Sequence, residues 1–304
     1  MQLKPGRRGG LRGLLQPRRA MLRFLHTSDI HLLRLDGVMP WRYLSKRLTG
    51  RLNLALKRGK KQDQALFDRM IEHVPTLKLD RFVVTGDLTN LALETEFELC
   101  VERFSSIPVP ITVIPGNHDT YTRGSERDRR FERYMGQFME GERESGDYPF
   151  VQRFDDVALF GVSSAVATPP FDATGRCGAA QLARLRRALL AVKDEGLARV
   201  VLVHHPPVDG LSKPKHALLD RAAFAEVIAV AGAELILHGH EHVCTETELP
   251  GPDGPVPVHG IASGTSKLQK PRREAAFSVY EVSASGFTRE LYVWNGKNYA
   301  LLDA

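Results

Sequence analysis

Short apolar, β-branched runs alternate along the chain with segments whose apolar residues recur at helical spacing. The runs at 22–29, 81–87, 111–117, 157–164, 199–205 and 234–240 predict strands. Residues 181–195 place Leu182, Leu185 and Leu189 on one helical face, and 220–232 ends at a glycine suited to a helix C-terminus. Residues 276–294 predict two more strands around an S-A-S-G turn. This alternation indicates one layered α/β domain over 21–304.

Residues 33–61 interrupt this alternation and predict a basic, amphipathic helical insert, with leucines at helical spacing and Arg or Lys between them. Because the insert follows His31 directly, we expect it to overhang any site to which His31 belongs. Two interpretations remain open: a solvated decoration, or a lid or membrane-surface element that places Trp41 and Tyr43 in the interface. The candidate contacts to substrate or to anionic head groups are Arg42, Lys46, Arg47 and Arg51.

The net charge of +6 resides in the first 20 residues, which contain six Lys or Arg and no acid. We expect 1–20 to be a disordered basic tail. Three cysteines that lie far apart in the chain predict no disulfide framework. No apolar stretch approaches the roughly 18 residues that span a bilayer. We therefore expect a cytoplasmic protein with, at most, peripheral contact to the inner face of a membrane.

Polar side chains stand where five of the predicted strands end. They are Asp29 and His31, Asp87, Asn117 with His118 and Asp119, His204 and His205, and His240 and His242. In open α/β sheets, ligands bind at the carboxyl ends of the strands. Convergence of these ends would bring two carboxylates, an amide and several imidazoles into one crevice.

Oxygen and nitrogen donors without thiolate suit Mn²⁺, Fe or Zn²⁺. In an extended chain, residues i and i+2 point the same way, so each D-x-H or H-x-H pair can present both donors to one side. The glycines before Asp87, Asn117 and His240 permit close approach of the backbone to a ligand. Seven donors exceed the needs of one ion and suit two ions that share a carboxylate. The seven are Asp29, His31, Asp87, Asn117, one of His204 and His205, His240 and His242.

The series D-x-H, G-D, G-N-H-D, H and G-H-x-H resembles that of the calcineurin-like metallophosphoesterase superfamily over residues 22–242. The resemblance implies a four-layer α/β/β/α sandwich with a dinuclear metal centre. One metal would take Asp29, His31 and His242, the second Asn117, His204 and His240, and Asp87 would bridge them. The resemblance favours His204 over His205 as the ligand. It also implies that His118 contacts the phosphate or the leaving-group oxygen, steadied by Asp119.

Two cations roughly 3.5–4 Å apart can hold a bridging water, lower its pKa and so produce a hydroxide near neutral pH. We predict hydrolysis of phosphodiesters by such a hydroxide, because LRFLHTSDIHL and HHPP resemble bacterial class III cyclic-nucleotide phosphodiesterases and glycerophosphodiesterases. One alternative is hydrolysis of UDP-2,3-diacylglucosamine at the membrane surface, as in lipid pyrophosphate hydrolases of the same superfamily. A nuclease is less favoured, because aromatic residues are not interleaved with the basic run. A non-catalytic metal-binding scaffold is also less favoured, because every motif position is present.

Overall fold

The computed structural model describes residues 21–39, 41, 46–53 and 61–302 of the 304. The strands are β1 Leu22–Thr27, β2 Arg81–Val84, β3 Ile111–Val113, β4 Phe150–Arg153, β5 Val157–Gly161, β6 Ala198–Leu202, β7 Leu235–His238, β8 Thr245–Leu249, β9 Val256–Gly260, β10 Ala276–Ser283, β11 Gly286–Trp294 and β12 Tyr299–Leu301. The helices are α1 Lys46–Asn53, α2 Gln64–His73, α3 Glu94–Phe104, α4 Arg123–Arg127, α5 Arg130–Met135, α6 Ala179–Asp194 and α7 Arg221–Ala231.

The strands form two six-stranded sheets, with the orders β12-β11-β10-β1-β2-β3 and β4-β5-β6-β7-β9-β8. In the first sheet β1, β2 and β3 are parallel neighbours. In the second sheet β5, β6, β7 and β9 run parallel. The carboxyl ends of parallel strands meet at one edge of a sheet, so each sheet gathers the segments that follow these strands in one place.

Alternate residues of the second sheet point to opposite faces and enter different cores. Leu159 and Val200 pack in the same core as the first sheet, whereas Phe160 and Val201 pack in the core that contains the apolar faces of α6 and α7. Phe67 of α2 belongs to the core of the first sheet. The two sheets and their flanking helices therefore form the expected α/β/β/α sandwich. Each fully buried large side chain stabilises this packing by about 1.5–3 kcal/mol.

The strands predicted from sequence are all present; the first six end two to four residues earlier than predicted, whereas the pair over 276–294 ends at Trp294 as predicted. The polar residues at the ends of those six therefore lie in loops. Helices α6 and α7 match their predicted spans, whereas α2 to α5 and strands β4, β8, β9 and β12 were not predicted. The predicted tail, 1–20, and residues 40, 42–45 and 54–60 of the insert lie outside the described residues. Within the described part of the insert, residues 46–53 form α1. Within the described chain, no helix is long and apolar enough to cross a membrane.

Candidate metal centre

The candidate ligands lie in loops just beyond the carboxyl ends of β1, β2, β3, β6 and β7. Five of them have a positive backbone φ: Asp29 (54°), His31 (43°), Asp87 (53°), His240 (73°) and His242 (51°). The explanation from extended-chain alternation is therefore wrong for the D-x-H and H-x-H pairs. Left-handed backbone is unfavourable for residues with a Cβ, and such strain is concentrated at functional sites. These left-handed turns set the direction in which the side chains of the five candidate ligands point.

Asp29, His31 and His242 form the first group, and one ligand atom from each lies within 4.8 Å of the others. His242 Nε2 lies 3.1 Å from Asp29 Oδ1 and 3.2 Å from His31 Nε2. Asp29 and His31 are buried, whereas the His242 side chain is 27% exposed. This group therefore opens toward solvent on the His242 side.

Asp87, His204 and His240 form the second group, and one ligand atom from each again lies within 4.8 Å of the others. Asp87 Oδ1 lies 3.4 Å from His204 Nε2, while Asp87 Oδ2 lies 3.7 Å from His31 Nε2 in the first group. The two oxygens of Asp87 thus face the two groups. This is the arrangement that a bridging carboxylate requires.

The structure distinguishes His204 from His205, which the sequence left open. His204 Nε2 lies 3.2 Å from Asn117 Oδ1, on the side of Asp87. In His205, Nε2–H donates to the carbonyl of Ala173 (3.2 Å), so Nδ1 accepts from the Ser164 hydroxyl (2.7 Å). Because both nitrogens of His205 are hydrogen-bonded away from the cluster, the geometry favours His204 as the ligand.

Two hydrogen bonds in the cluster have the form found around metal-binding histidines. Nδ1–H of His31 donates to the carbonyl of Thr89 (3.2 Å), and Nδ1–H of His204 donates to the carbonyl of Thr85 (2.7 Å). A carbonyl can only accept, so in the neutral ring Nε2 retains its lone pair and faces the cluster. These bonds fix the tautomer that a metal ligand needs.

The charges of the cluster also fit bound cations. Burial by itself would raise the pKa of Asp29, but His242 and His204 lower the pKa below its usual range. Burial likewise opposes ionisation of Asp87, but His204 and His118 hold the Asp87 pKa well below its ordinary value. Burial lowers the pKa of His204, yet Asp87 outweighs it and raises that pKa to about 9. Two buried, ionised carboxylates need compensating positive charge; a protonated His204 supplies part of it, and a divalent cation bound at Nε2 would replace that proton.

Unpartnered polar atoms point to the same conclusion. His240 Nε2 is buried and has no hydrogen-bond partner among the described residues, and buried Asp29 Oδ1 has the ion-pair contact with His242 Nε2 (3.1 Å) but no other hydrogen-bond partner there. Burial and the neighbouring His205 and His204 also lower the pKa of His240 well below its ordinary value, which leaves its ring neutral. Buried polar atoms without partners are rare unless a ligand or ion satisfies them. The residues present therefore fit a pair of metal ions.

Glycines let the loops of the cluster approach one another. A Cβ at Gly116 would lie 2.2 Å from Asp87 Oδ1, and one at Gly239 would lie 2.5 Å from Asp29 Oδ2. Gly86 has a φ of 96°, and a Cβ there would meet His204 Nδ1 at 2.7 Å. The close approach expected of these glycines is therefore present.

His118 lies at the edge of the first group, with its ring 5.1 Å from the ring of His31 and nearly perpendicular to it. Its backbone N–H donates to Asp87 Oδ1 (2.8 Å), and its Nδ1–H donates to the carbonyl of Asn90 (2.7 Å). Nε2 is therefore the nitrogen that can exchange a proton with a ligand. Asn90 also donates to the carbonyl of His31 (2.6 Å) and so joins the two loops.

Asp119 holds the backbone of these loops and not the imidazole of His118. Its carboxylate accepts from the backbone N–H groups of Leu88 (3.1 Å), Thr89 (2.9 Å) and Gly116 (2.9 Å), and from the Thr89 hydroxyl (3.0 Å). Burial and the Asp87 charge raise the pKa of Asp119 to about 7, against these donors. The expected steadying by Asp119 acts through the loop, while Asn90 orients the ring.

A third group of possible ligands borders the second. Ligand atoms of His216, His240 and Glu241 lie within 4.8 Å of one another, and Glu241 Oε1 is 3.9 Å from both histidines. His216 gave no sequence signal because it stands in no motif. Since His240 belongs to both groups, His216 and Glu241 form the outer rim of the second group.

The insert residues predicted to meet substrate or head groups divide into three cases. Arg47 is buried, and its guanidinium donates to the carbonyls of Leu91 (2.8 Å) and Ala92 (2.9 Å), so the prediction that it meets a membrane is wrong for this conformation. Lys46 donates to Thr168 Oγ1 (2.8 Å) near the site, and burial lowers its pKa to about 8. Arg42 and the side chain of Arg51 lie outside what the structure describes.

Two solved structures have a fold similar to that of this chain. The purple acid phosphatase PPD1 from yellow lupin seeds superposes with a TM-score of 0.63 at 11% identity, covering 94% of this chain and 53% of the lupin chain. A dimetal phosphatase from Danio rerio superposes with a TM-score of 0.59 at 12% identity, covering 93% and 97% of the two chains.

A probable glycerophosphodiester phosphodiesterase, GpdQ, of Arcobacter nitrofigilis is 27% identical over 147 residues, which are 48% of this chain and 49% of the relative. The match thus spans about half the length of that curated relative.

The two-sheet sandwich with a histidine and carboxylate cluster at its strand ends defines the metallophosphoesterase class of fold. The model of the calcineurin-like phosphoesterase family matches residues 22–244. The chain therefore belongs to the calcineurin-like phosphoesterase family.

Proposed function

We propose that this protein is a metal-dependent phosphoester hydrolase that acts on phosphodiesters. The observation that carries the proposal is the placement of Asp87, whose two oxygens face separate groups of donors 3.4 and 3.7 Å away. Asp29, His31 and His242 would hold one cation, and Asn117, His204 and His240 the other. The donor types suit Mn²⁺, Fe or Zn²⁺. The curated relative is named as a phosphodiesterase, which supports the choice of a diester.

Cations in these positions would supply the positive charge that polarises a phosphate group and neutralises its oxygens during the reaction. The chain itself orients and protonates the ester. Water adds across one P–O ester bond, which yields a phosphomonoester and an alcohol. In its doubly protonated form, His118 keeps Nδ1–H on the carbonyl of Asn90 and can give the proton on Nε2 to the departing ester oxygen, which leaves the neutral ring. Asp119 and Thr89 keep the loop of His118 in place during this transfer.

The test compares esters on protein that has been stripped of metal and reloaded with Mn²⁺. The panel is bis-p-nitrophenyl phosphate, p-nitrophenyl phosphate, cyclic AMP and UDP-diacylglucosamine in detergent. We expect metal-dependent cleavage with preference for a diester. Preference for the monoester would contradict the diester assignment, and hydrolysis without added metal would contradict metal dependence.

A pair of matched variants tests the site. Asp87→Asn keeps the volume of the side chain but removes the bridging charge, whereas Asp253→Asn changes an exposed carboxylate that pairs with Lys193. We expect Asp87→Asn to bind fewer than two equivalents of Mn²⁺ and to lose at least about a hundredfold in kcat, the scale of one misplaced reacting group. Asp253→Asn should match the wild type. Wild-type turnover by Asp87→Asn would show that the site has been assigned wrongly.

A second candidate function, hydrolysis of a nucleotide-linked lipid, is favoured by one observation. Large apolar side chains in the insert are exposed to solvent: Met39 (49%), Trp41 (60%) and Leu48 (57%). Exposed apolar side chains beside a site can receive an acyl chain or enter a membrane interface. Turnover of UDP-diacylglucosamine above that of the soluble diesters would favour this candidate over the first.

A further inference from the structure

Helix α1 of the insert packs closely on the loop that carries His118. A Cβ added at Gly50 would lie 2.5 Å from the hydroxyl of Tyr121 and 2.7 Å from Leu91 Cδ2. Glycine inside a helix costs about 1 kcal/mol relative to alanine, so its presence in the middle of an eight-residue helix needs a reason. Close packing of α1 against Tyr121 supplies that reason.

Lys46, the first residue of α1, connects both sides of the site. Its Nζ lies 4.7 Å from the centre of the Tyr121 ring, on the side of the first sheet. The same Nζ donates to Thr168 Oγ1 (2.8 Å) and to the carbonyl of Asp172 (3.2 Å), in the loop that follows β5. The ammonium group of Lys46 therefore contacts the Tyr121 ring in one loop and the backbone of Asp172 in another.

The ring of Tyr121 in turn stacks on the imidazole of His118, with centroids 5.2 Å apart and planes 20° apart. His118 thus has Tyr121 against one face, Asn90 at Nδ1 and the ring of His31 nearby. Tyr121 is buried, at 8% exposure, so solvent does not compete for this contact. The contacts fix the plane of the imidazole and with it the direction of Nε2.

We propose that α1 is a positioning element for the reaction, in which Lys46 and Tyr121 hold the imidazole of His118 in the plane that lets it protonate the leaving group. The inference rests on the proposed function and adds two residues that act through His118. A structural role alone would affect all substrates equally. A positioning role should matter most for leaving groups that need a proton.

The experiment uses two diesters that differ only in the leaving group: methyl p-nitrophenyl phosphate and methyl phenyl phosphate. The p-nitrophenolate ion leaves readily without protonation, whereas phenolate is a much more basic leaving group. We expect Tyr121→Leu to lower kcat for the phenyl ester by about tenfold or more and for the p-nitrophenyl ester by less than about threefold, because general acid catalysis contributes about 10²–10⁴-fold. Lys46→Met should act in the same direction, and Lys193→Met, an exposed lysine in α6, serves as its control.

Tyr121→Phe keeps the stacked ring and should restore both rates to within about threefold of the wild type, because positioning depends on the ring face. Equal loss on both esters, no loss in Tyr121→Leu, or a Phe variant that behaves like the Leu variant would each overturn the inference. If His118→Ala affects both esters equally, the inference fails while the proposed function stands, provided that the wild type hydrolyses both.

A second measurement separates the inference from activity altogether. In the metal-free protein, the ring-proton NMR signal of His118 reports the stacking of Tyr121 on it. We expect Lys46→Met to move this signal and Lys193→Met to leave it unchanged. If the wild type hydrolyses no ester, the proposed function fails, and this signal still decides whether Lys46 holds the stack. An unchanged signal in Lys46→Met would overturn the inference.

Discussion

Replacing Gly116 by alanine should disrupt the metal centre while the fold survives. A Cβ at this position would lie 2.3 Å from the backbone N of Asp87 and 2.8 Å from His204 Cε1, whereas ordinary contact starts at 3.4 Å. The loops that carry Asp87 and Asn117 must therefore separate by about 1 Å, because neither backbone can rotate out of the way in a close-packed interior. Asn117 is the next residue in the chain and moves with Gly116.

The magnitude follows from this displacement. A misplacement of about 1 Å costs on the order of a hundredfold in rate. Altered support around a metal ligand typically costs about 10- to 100-fold in metal affinity. Overpacking of this kind should also destabilise the protein by about 1–3 kcal/mol. We therefore expect Gly116→Ala to fold, to bind Mn²⁺ at least about tenfold more weakly, and to lose at least about a hundredfold in turnover.

The assay has three parts: urea unfolding, calorimetric titration with Mn²⁺, and kcat with bis-p-nitrophenyl phosphate. Gly136→Ala is the matched control, because Gly136 has helical backbone angles (φ −52°, ψ −38°) and a Cβ there meets nothing within 4 Å. The control should equal or slightly exceed the wild type in stability. Wild-type affinity and turnover in Gly116→Ala would refute the geometry on which this reasoning depends.

Three further predictions concern other parts of the chain. His204→Ala should bind one Mn²⁺ equivalent fewer than His205→Ala, as measured by elemental analysis of the purified proteins; equal metal contents would contradict the choice of His204. Arg47→Met should be destabilised in urea by about 2–4 kcal/mol, because two carbonyls lose charged donors. Binding of Arg47→Met to anionic vesicles should be unchanged, and loss of vesicle binding with unchanged stability would restore the membrane role of Arg47. Burial raises the pKa of Glu96 to about 8, although three backbone N–H groups donate to its carboxylate. Protonation of Glu96 therefore stabilises the folded state. This stabilisation is complete below the unfolded pKa of 4.5 and is lost as the pH rises through 8. The unfolding free energy of the wild type relative to Glu96→Gln should therefore fall by on the order of 5 kcal/mol between these pH values, whereas a constant difference would contradict the shift.

The sequence by itself determined the α/β class, the positions of the central strands along the chain and the residue types at the ends of these strands. These features follow from local chemistry. Alternating apolar runs form strands, and a polar residue that ends such a run leaves the sheet at its carboxyl edge. The glycine before Asp87 could also be read locally, because a left-handed turn and a close approach both require it.

Only the tertiary structure decided which backbone conformation directs each imidazole and what holds His118. His240 and His242 are two residues apart, yet they face different groups because each has a left-handed backbone that no spacing rule predicts. The carbonyl of Asn90 and the ring of Tyr121 reach His118 from positions that lie outside the motifs themselves. Arg47 is read from sequence as a surface cation, but it is buried because two loop carbonyls need donors. Such contacts depend on backbone groups and rings brought together by the folded chain, and no local pattern encodes them.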